Sequence, residues 1–145
     1  MPRRTCTRKL EFDAAHRVMR HESKCRHLHG HRYTVELTAS AKQLDDLGRV
    51  IDFGVLKTIV GGWIDDFWDH GTIVHYDDVE LIKVCSDNNW RHYKLENNPT
   101  AENLAEELFI EANHLLEEYP ILITHIRLYE TPNCWADYGE VINDG

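Results

Sequence analysis

No stretch of this sequence approaches the roughly 18 uninterrupted apolar residues of a membrane-spanning helix, and its opening segment, Met-Pro-Arg-Arg-Thr, lacks the apolar run of a signal peptide. The four cysteines, Cys6, Cys25, Cys85 and Cys134, are scattered with no C-x-x-C pair, so neither a redox motif of that kind nor a disulfide framework is expected. A G-x-G-x-x-G fingerprint is missing too, which argues against a nicotinamide-binding turn. There are no repeats, linkers or low-complexity segments. Positive charge is in short supply: 16 Lys and Arg face 25 Asp and Glu, and the net charge of -9 argues against a general nucleic-acid binder. These absences leave the expectation of a soluble, cytoplasmic protein that binds neither membrane nor nucleic acid. A single domain over residues 1–145 is long enough to bury roughly 68–70% of its unfolded surface.

What positive charge there is lies at one end. Residues 1–33 hold nine Lys and Arg against three Asp and Glu, or +6, so the remaining 112 residues carry -15. Such a segment suits an anionic small molecule, and equally a solvated basic edge. The same region concentrates imidazole: between His16 and His31 lie five of the ten histidines, together with Cys25.

Around this stretch the pattern is that of strands. From residue 5 to 16 the chain alternates, with Leu10, Phe12, Ala14 and His16 on one face, and Tyr33, Val35, Leu37 and Ala39 repeat the pattern after the histidine-rich loop. Extrapolated backward by twos, His29 and His31 fall on the same apolar side. The two strands read as an antiparallel pair, and the connection between them is too long for a tight hairpin, itself a functional hint. Asp52 is suited to cap a helix with apolar positions Val55, Leu56, Ile59, Val60, Trp63, Ile64 and Phe67, and Gly61-Gly62 within it suggests a close contact or a kink. Asp77 to Ser86 fits a short helix and Asp87 to Leu95 a turn then a short strand. Asn98-Pro99-Thr100 opens a second long helix with Leu104, Ala105, Leu108, Phe109, Ala112, Leu115 and Leu116 on its apolar face, stopped at Tyr119-Pro120. Strands follow at Ile121 to Glu130 and near Trp135 to Val141. The order predicts an α+β fold, two helices covering one face of a four-stranded sheet, with edges that invite oligomerisation.

Catalytic zinc takes three protein ligands, often all histidine, and leaves a position open. His16, His29 and His31 meet that need, Gly30 letting the backbone approach closely, although His27 fits the same alternation. Cys25 does not make a zinc finger with histidines only four and six residues later. Between Lys24 and Arg26 and near a dication it reads as a reactive thiol, the alternative being an inert buried one. Asp69-His70 reads first as a helix end. Glu130 ends a strand on its apolar face, where a carboxylate needs a partner: an arginine, or the ring N–H and amine of a guanine-like or pterin ring, each offering two parallel hydrogen bonds.

The motifs Phe12-Asp-Ala-Ala-His16, Cys25-x-x-x-His29-Gly30-His31, Gly48-x-Val-Ile-Asp52-Phe53-x-x-Leu56-Lys57, Asp69-His70, Asn98-Pro-Thr-Ala-Glu-Asn-Leu-Ala105 and Glu130-Thr131, in this order, resemble the 6-pyruvoyltetrahydropterin and 6-carboxytetrahydropterin synthase family nearly end to end. The resemblance implies the tunnelling fold (T-fold), a four-stranded antiparallel sheet with two long helices packed on one face. It implies Zn2+ on His16, His29 and His31, Cys25 as proton-transferring base, Asp69 and His70 as its relay, and Glu130 as anchor of the pterin ring. Thr100 and Glu102 become secondary substrate-binding candidates. Homo-oligomers, trimers stacking as hexamers, would form active sites between subunits acting on a pterin triphosphate. The short Cys-x-x-x-His-Gly-His spacing is similar to the carboxy branch, which releases acetaldehyde and triphosphate en route to 7-deazaguanines such as queuosine; the pyruvoyl branch keeps the side chain. A metal-dependent hydrolase and a noncatalytic purine-binding module are the readings from other classes. Residues 71–97 depart from the family pattern.

Overall fold

The computed structural model describes residues 2–139. Its centre is the antiparallel pair β1 (Arg4–His16) and β2 (His29–Ala41), in continuous register from Arg4 opposite Ala41 to His16 opposite His29. Alternation does the rest. Leu10, Phe12 and Ala14 of β1 and Tyr33, Val35, Leu37 and Ala39 of β2 are buried, while Lys9, Glu11 and Arg32 are exposed on the other face.

Beyond this pair the chain adds β3 (Gly71–His75), β4 (His92–Leu95), β5 (Leu122–Thr131) and β6 (Cys134–Gly139). The sheet order is β4-β3-β1-β2-β5-β6. β5 and β6 continue the antiparallel array, whereas β1–β3 and β3–β4 run parallel. The expected four-stranded antiparallel sheet is therefore corrected to a six-stranded mixed one. The physical reason lies in β3: Ile73 enters the main core, while Val74 enters a second cluster with Leu81 and Cys85. A strand buried on both faces does not alternate, so its sequence carries no period of two. The last strand is described as far as Gly139, and Val141, expected in it, lies outside the described residues.

The first long helix, α1, runs through Phe53–Leu56, Lys57–Gly61 and Gly62–Phe67, the middle stretch π-helical. Asp52 caps it, its side chain accepting from the Gly54 N–H at 2.8 Å. The irregularity expected at Gly61-Gly62 is this π turn. α2 (Val79–Asp87) is the short helix that makes three, where two long ones were expected to form the layer. α3 (Ala101–Leu115) is the second long helix. Leu56, Val60 and Ile64 of α1 and Leu104, Leu108 and Ala112 of α3 close over one face of the sheet in a single core. Each fully buried Leu, Ile or Val side chain there contributes roughly 1.5–3 kcal/mol. Among the described residues no helix is long and apolar enough to cross a membrane.

Candidate metal centre and active site

Register decides where the histidines meet. His16 faces His29 directly and Ala14 faces His31, so the three rings converge on the helix-side face at the end of the β1–β2 pair. Ring centroids lie 4.7 Å apart for His16–His29, 5.2 Å for His16–His31 and 4.7 Å for His29–His31. β5 brings Glu130 onto the same face, beyond Ile126 and Leu128. Its Oε1 lies 3.1 Å from His16 Nε2 and 3.3 Å from His31 Nε2.

The backbone sets the tautomers. His16 Nδ1 is 2.6 Å from the Pro99 carbonyl and His29 Nδ1 is 2.7 Å from the His27 carbonyl. A carbonyl only accepts, so both rings donate from Nδ1 and, when neutral, turn the Nε2 lone pair away from that bond. The Nε2 atoms of His16 and His31 are buried without a hydrogen-bond partner. The ligand atoms of His16, His29, His31 and Glu130 lie within 4.8 Å of one another. Three imidazoles and a carboxylate are a donor set for a borderline divalent metal, and the orphaned nitrogens fit one. The adjacent His16 ring, with His31 and His29 near, holds the Glu130 carboxyl below its usual range against the opposing effect of burial. Burial, more than the neighbouring His16 and His29, pushes His31 toward its neutral form.

The Asn98-Pro99-Thr100 segment supports this cluster more than its sequence suggests. Asn98 clamps the β1–β2 loop, its Oδ1 accepting from the Met19 N–H at 2.9 Å and its Nδ2 donating to the Met19 carbonyl at 3.1 Å. Thr100 caps α3, accepting from the Asn103 N–H at 3.2 Å. Glu102 lies exposed in the first turn of α3, where a carboxylate complements the helix dipole. The clamp and the carbonyl were not foreseen, since backbone acceptors leave no residue signature.

Asp69 and His70 form a second group with Asp13. Asp69 Oδ1 accepts from the Asp13 N–H at 2.9 Å, and Oδ2 accepts from His70 Nδ1 at 2.8 Å. The His70 N–H in turn donates to the Asp13 carbonyl at 2.7 Å. Burial opposes ionisation of Asp69, but the Asp13 N–H and the His70 ring outweigh it and hold the carboxyl below its ordinary value. His70 adopts the left-handed conformation at φ 57°, and its side chain is 77% exposed. Arg91 donates to the Asp65 and Asp69 carbonyls, its stem crossing Gly71, where a Cβ would meet Arg91 Cγ at 3.1 Å. Asp13 and Arg91 are site residues that sequence reasoning missed. An open cavity of about 680 Å³ is lined by Asp13, Arg32, His70, Trp90 and Arg91 and reaches His31.

Cys25 occupies a single 3-10 turn, Lys24–Arg26, inside the β1–β2 loop; it is a partly exposed free thiol whose carbonyl accepts from the Val18 N–H at 2.9 Å. Neither group includes it, nor do they include His21 or His27. The structure thus assembles the histidines with Glu130, and Asp69 with His70, and includes Cys25 in neither group.

Residues 5–141 match the family model described as 6-pyruvoyl tetrahydropterin synthase. Over 134 residues the chain is 47% identical to a 6-carboxy-5,6,7,8-tetrahydropterin synthase from Rickettsia bellii, covering 91% of this chain and 97% of that protein. A protein of the same name from Haemophilus influenzae is 32% identical, covering 92% and 97%. In structure the chain resembles an uncharacterized protein from Wolinella succinogenes, with a TM-score of 0.83 at 20% identity, covering 97% of this chain and 100% of that one. The 6-pyruvoyl tetrahydropterin synthase of Caenorhabditis elegans gives 0.70 at 24% identity, covering 97% and 98%.

Proposed function

The chain belongs to the 6-pyruvoyl tetrahydropterin synthase family, and from that premise we propose that it converts 7,8-dihydroneopterin triphosphate to 6-carboxy-5,6,7,8-tetrahydropterin, releasing acetaldehyde and triphosphate, on the way to 7-deazaguanines of the queuosine type. The observation that carries the carboxy branch is the similarity, over most of both chains, to relatives bearing that name. The short Cys25-x-x-x-His29-Gly30-His31 spacing agrees with it.

His16, His29 and His31 hold zinc in this reading, the Nδ1 atoms of His16 and His29 being engaged by backbone carbonyls. When bound, the ion supplies Lewis-acid polarisation of the substrate's side-chain hydroxyls. Cys25 removes and returns protons at the side chain. Asp69 orients the His70 ring through Nδ1, leaving Nε2 to exchange a proton with solvent, substrate or thiol. Asp13 and Arg91 position Asp69 through backbone contacts. Glu130 recognises the pterin ring by accepting its ring N–H and amine together, with Thr100 and Glu102 near the ring. The exposure of His70 and the absence of Cys25 from both groups support an active site completed between subunits of a homo-oligomer, a trimer or a hexamer.

Incubating zinc-loaded protein with 7,8-dihydroneopterin triphosphate and identifying products by mass tests the reading. Acetaldehyde together with the carboxypterin is the expected result. Pyruvoyltetrahydropterin without acetaldehyde would move the protein to the pyruvoyl branch, and no release of triphosphate would overturn the assignment. Cys25→Ala separates this chemistry from a metal-dependent hydrolase: near-complete loss of turnover with zinc retained is expected here, whereas a hydrolase would barely change. A purine-binding module would show no turnover in any form.

A further inference from the structure

Glu130 lies within the histidine cluster itself, its carboxylate grouped with the imidazoles of His16, His29 and His31. Its Oε1 is 3.1 Å from His16 Nε2 and 3.3 Å from His31 Nε2. Metal–nitrogen and metal–oxygen bonds of about 2.0–2.2 Å at tetrahedral angles place ligand atoms roughly 3.3–3.5 Å apart. These two separations are close to the edges of such a tetrahedron. Hydrogen bonding explains them less well. His16 already donates from Nδ1 to Pro99, so only its protonated form could also donate from Nε2, and the one Oε1 atom faces both Nε2 atoms at once. A neutral His16 would therefore turn a lone pair toward an oxygen that also carries lone pairs, an arrangement that repels unless a cation lies between them.

We propose that in the substrate-free protein Glu130 is the fourth ligand of the metal, beside His16, His29 and His31, and that an arriving pterin draws this carboxylate onto its own ring N–H and amine. Both carboxylate oxygens are needed to accept the two parallel bonds of a pterin edge, so the same group cannot fully serve ring and metal at once. The exchange, though not the resting ligation, rests on the pterin substrate proposed above. It has a functional consequence. Four protein ligands leave no open position for water, so a three-histidine centre that would otherwise suit hydrolysis stays closed until the ring that releases Glu130 has docked.

Cobalt-loaded protein without any pterin gives the first test. Wild type is expected to show the visible spectrum of a four-coordinate site with no water signal by electron–nuclear double resonance in deuterium oxide, a measurement that needs no variant. Glu130→Gln should gain a water signal and release metal to a chelator about tenfold more readily or worse. A water on the resting wild-type metal, or equal spectra and affinities for wild type and Glu130→Gln, would overturn the ligation. The second test adds 6-methylpterin, which has the ring but no side-chain hydroxyls. A water signal appearing in wild type, with Glu130→Gln unchanged, is the expected exchange. If 6-methylpterin binds by fluorescence quenching but leaves the wild-type cobalt spectrum unmoved, the exchange is wrong. If it does not bind while the resting spectrum still depends on Glu130, the pterin reading and the exchange fall together and the ligation stands.

Discussion

Two groups of titratable side chains lie against β1, and they are built by opposite means. His16, His29, His31 and Glu130 are delivered by alternation along three paired strands, and the first of them is 1% exposed. Asp69 and His70 are delivered to Asp13 of β1 by a turn, with His70 at positive φ and its ring largely in solvent. A site set by register is rigid, because slipping one residue would turn all its histidines to the other face. A site set by a turn depends on what holds the turn, here the Asp13 N–H and the Arg91 guanidinium. The first construction suits holding an ion, the second presenting a group that gains and loses a proton.

The sharpest way to break this contrast is His31→Ala. It removes one member of the buried cluster and leaves the Asp69–His70 pair intact, so bound zinc and turnover are both expected to fall to background. Metal analysis of the purified variant beside the product assay checks this. His70→Ala is the counterpart on the other side. Zinc should be retained and unfolding free energy should fall by about 1 kcal/mol, since His70 sits at positive φ and its ring bonds Asp69, while turnover drops roughly 10²- to 10⁴-fold. Loss of metal from His70→Ala would show that the two groups are not separable.

Much of the first region was legible in the sequence and little of the second was. Alternation is local, so Leu10, Phe12, Ala14 and His16 declare their common face without knowledge of the partner strand, and His29 and His31 follow from Tyr33 and Val35. Arg91 reaches the Asp69 carbonyl across 22 residues, and Pro99 serves His16 through its carbonyl across 83. Backbone acceptors are the same in every residue, so no side-chain pattern announces them. β3 was lost for a related reason, since the adjacent Ile73 and Val74 are buried in different clusters and break the alternation that would mark the period.

A smaller effect is expected where the loop between the regions is anchored. Arg17, the residue after His16, donates from Nε to Asp78 at 2.6 Å, and Asp78 also caps α2 by accepting from the Leu81 N–H. The Arg17 bond holds the Asp78 carboxyl below its ordinary value, against burial. Its folded pKa is therefore lower than its unfolded one of about 3.9. Between the two the unfolded chain binds more protons, so this contribution is present above the unfolded value and is lost as pH falls through the folded one. Asp78→Asn should lower stability at pH 7 by about 2–3 kcal/mol, less than a fully buried pair because Arg17 is partly exposed. It should also flatten the decline in stability below about pH 4, read by urea unfolding at both pH values.

The smallest predicted change separates support from substrate contact at Thr100. Its hydroxyl caps α3 one residue after the carbonyl that orients His16, so Thr100→Ala should lower stability by about 1 kcal/mol. Thr100→Ser keeps a capping oxygen and should restore most of that, measured by thermal unfolding. Because Pro99 acts through its backbone, zinc affinity should fall less than in any variant of the three histidines. If Thr100 only caps, KM follows stability and serine rescues both. If its methyl group packs against the pterin ring, serine rescues stability while KM stays raised, which would place the α3 terminus in the substrate pocket as well as beneath the histidine cluster.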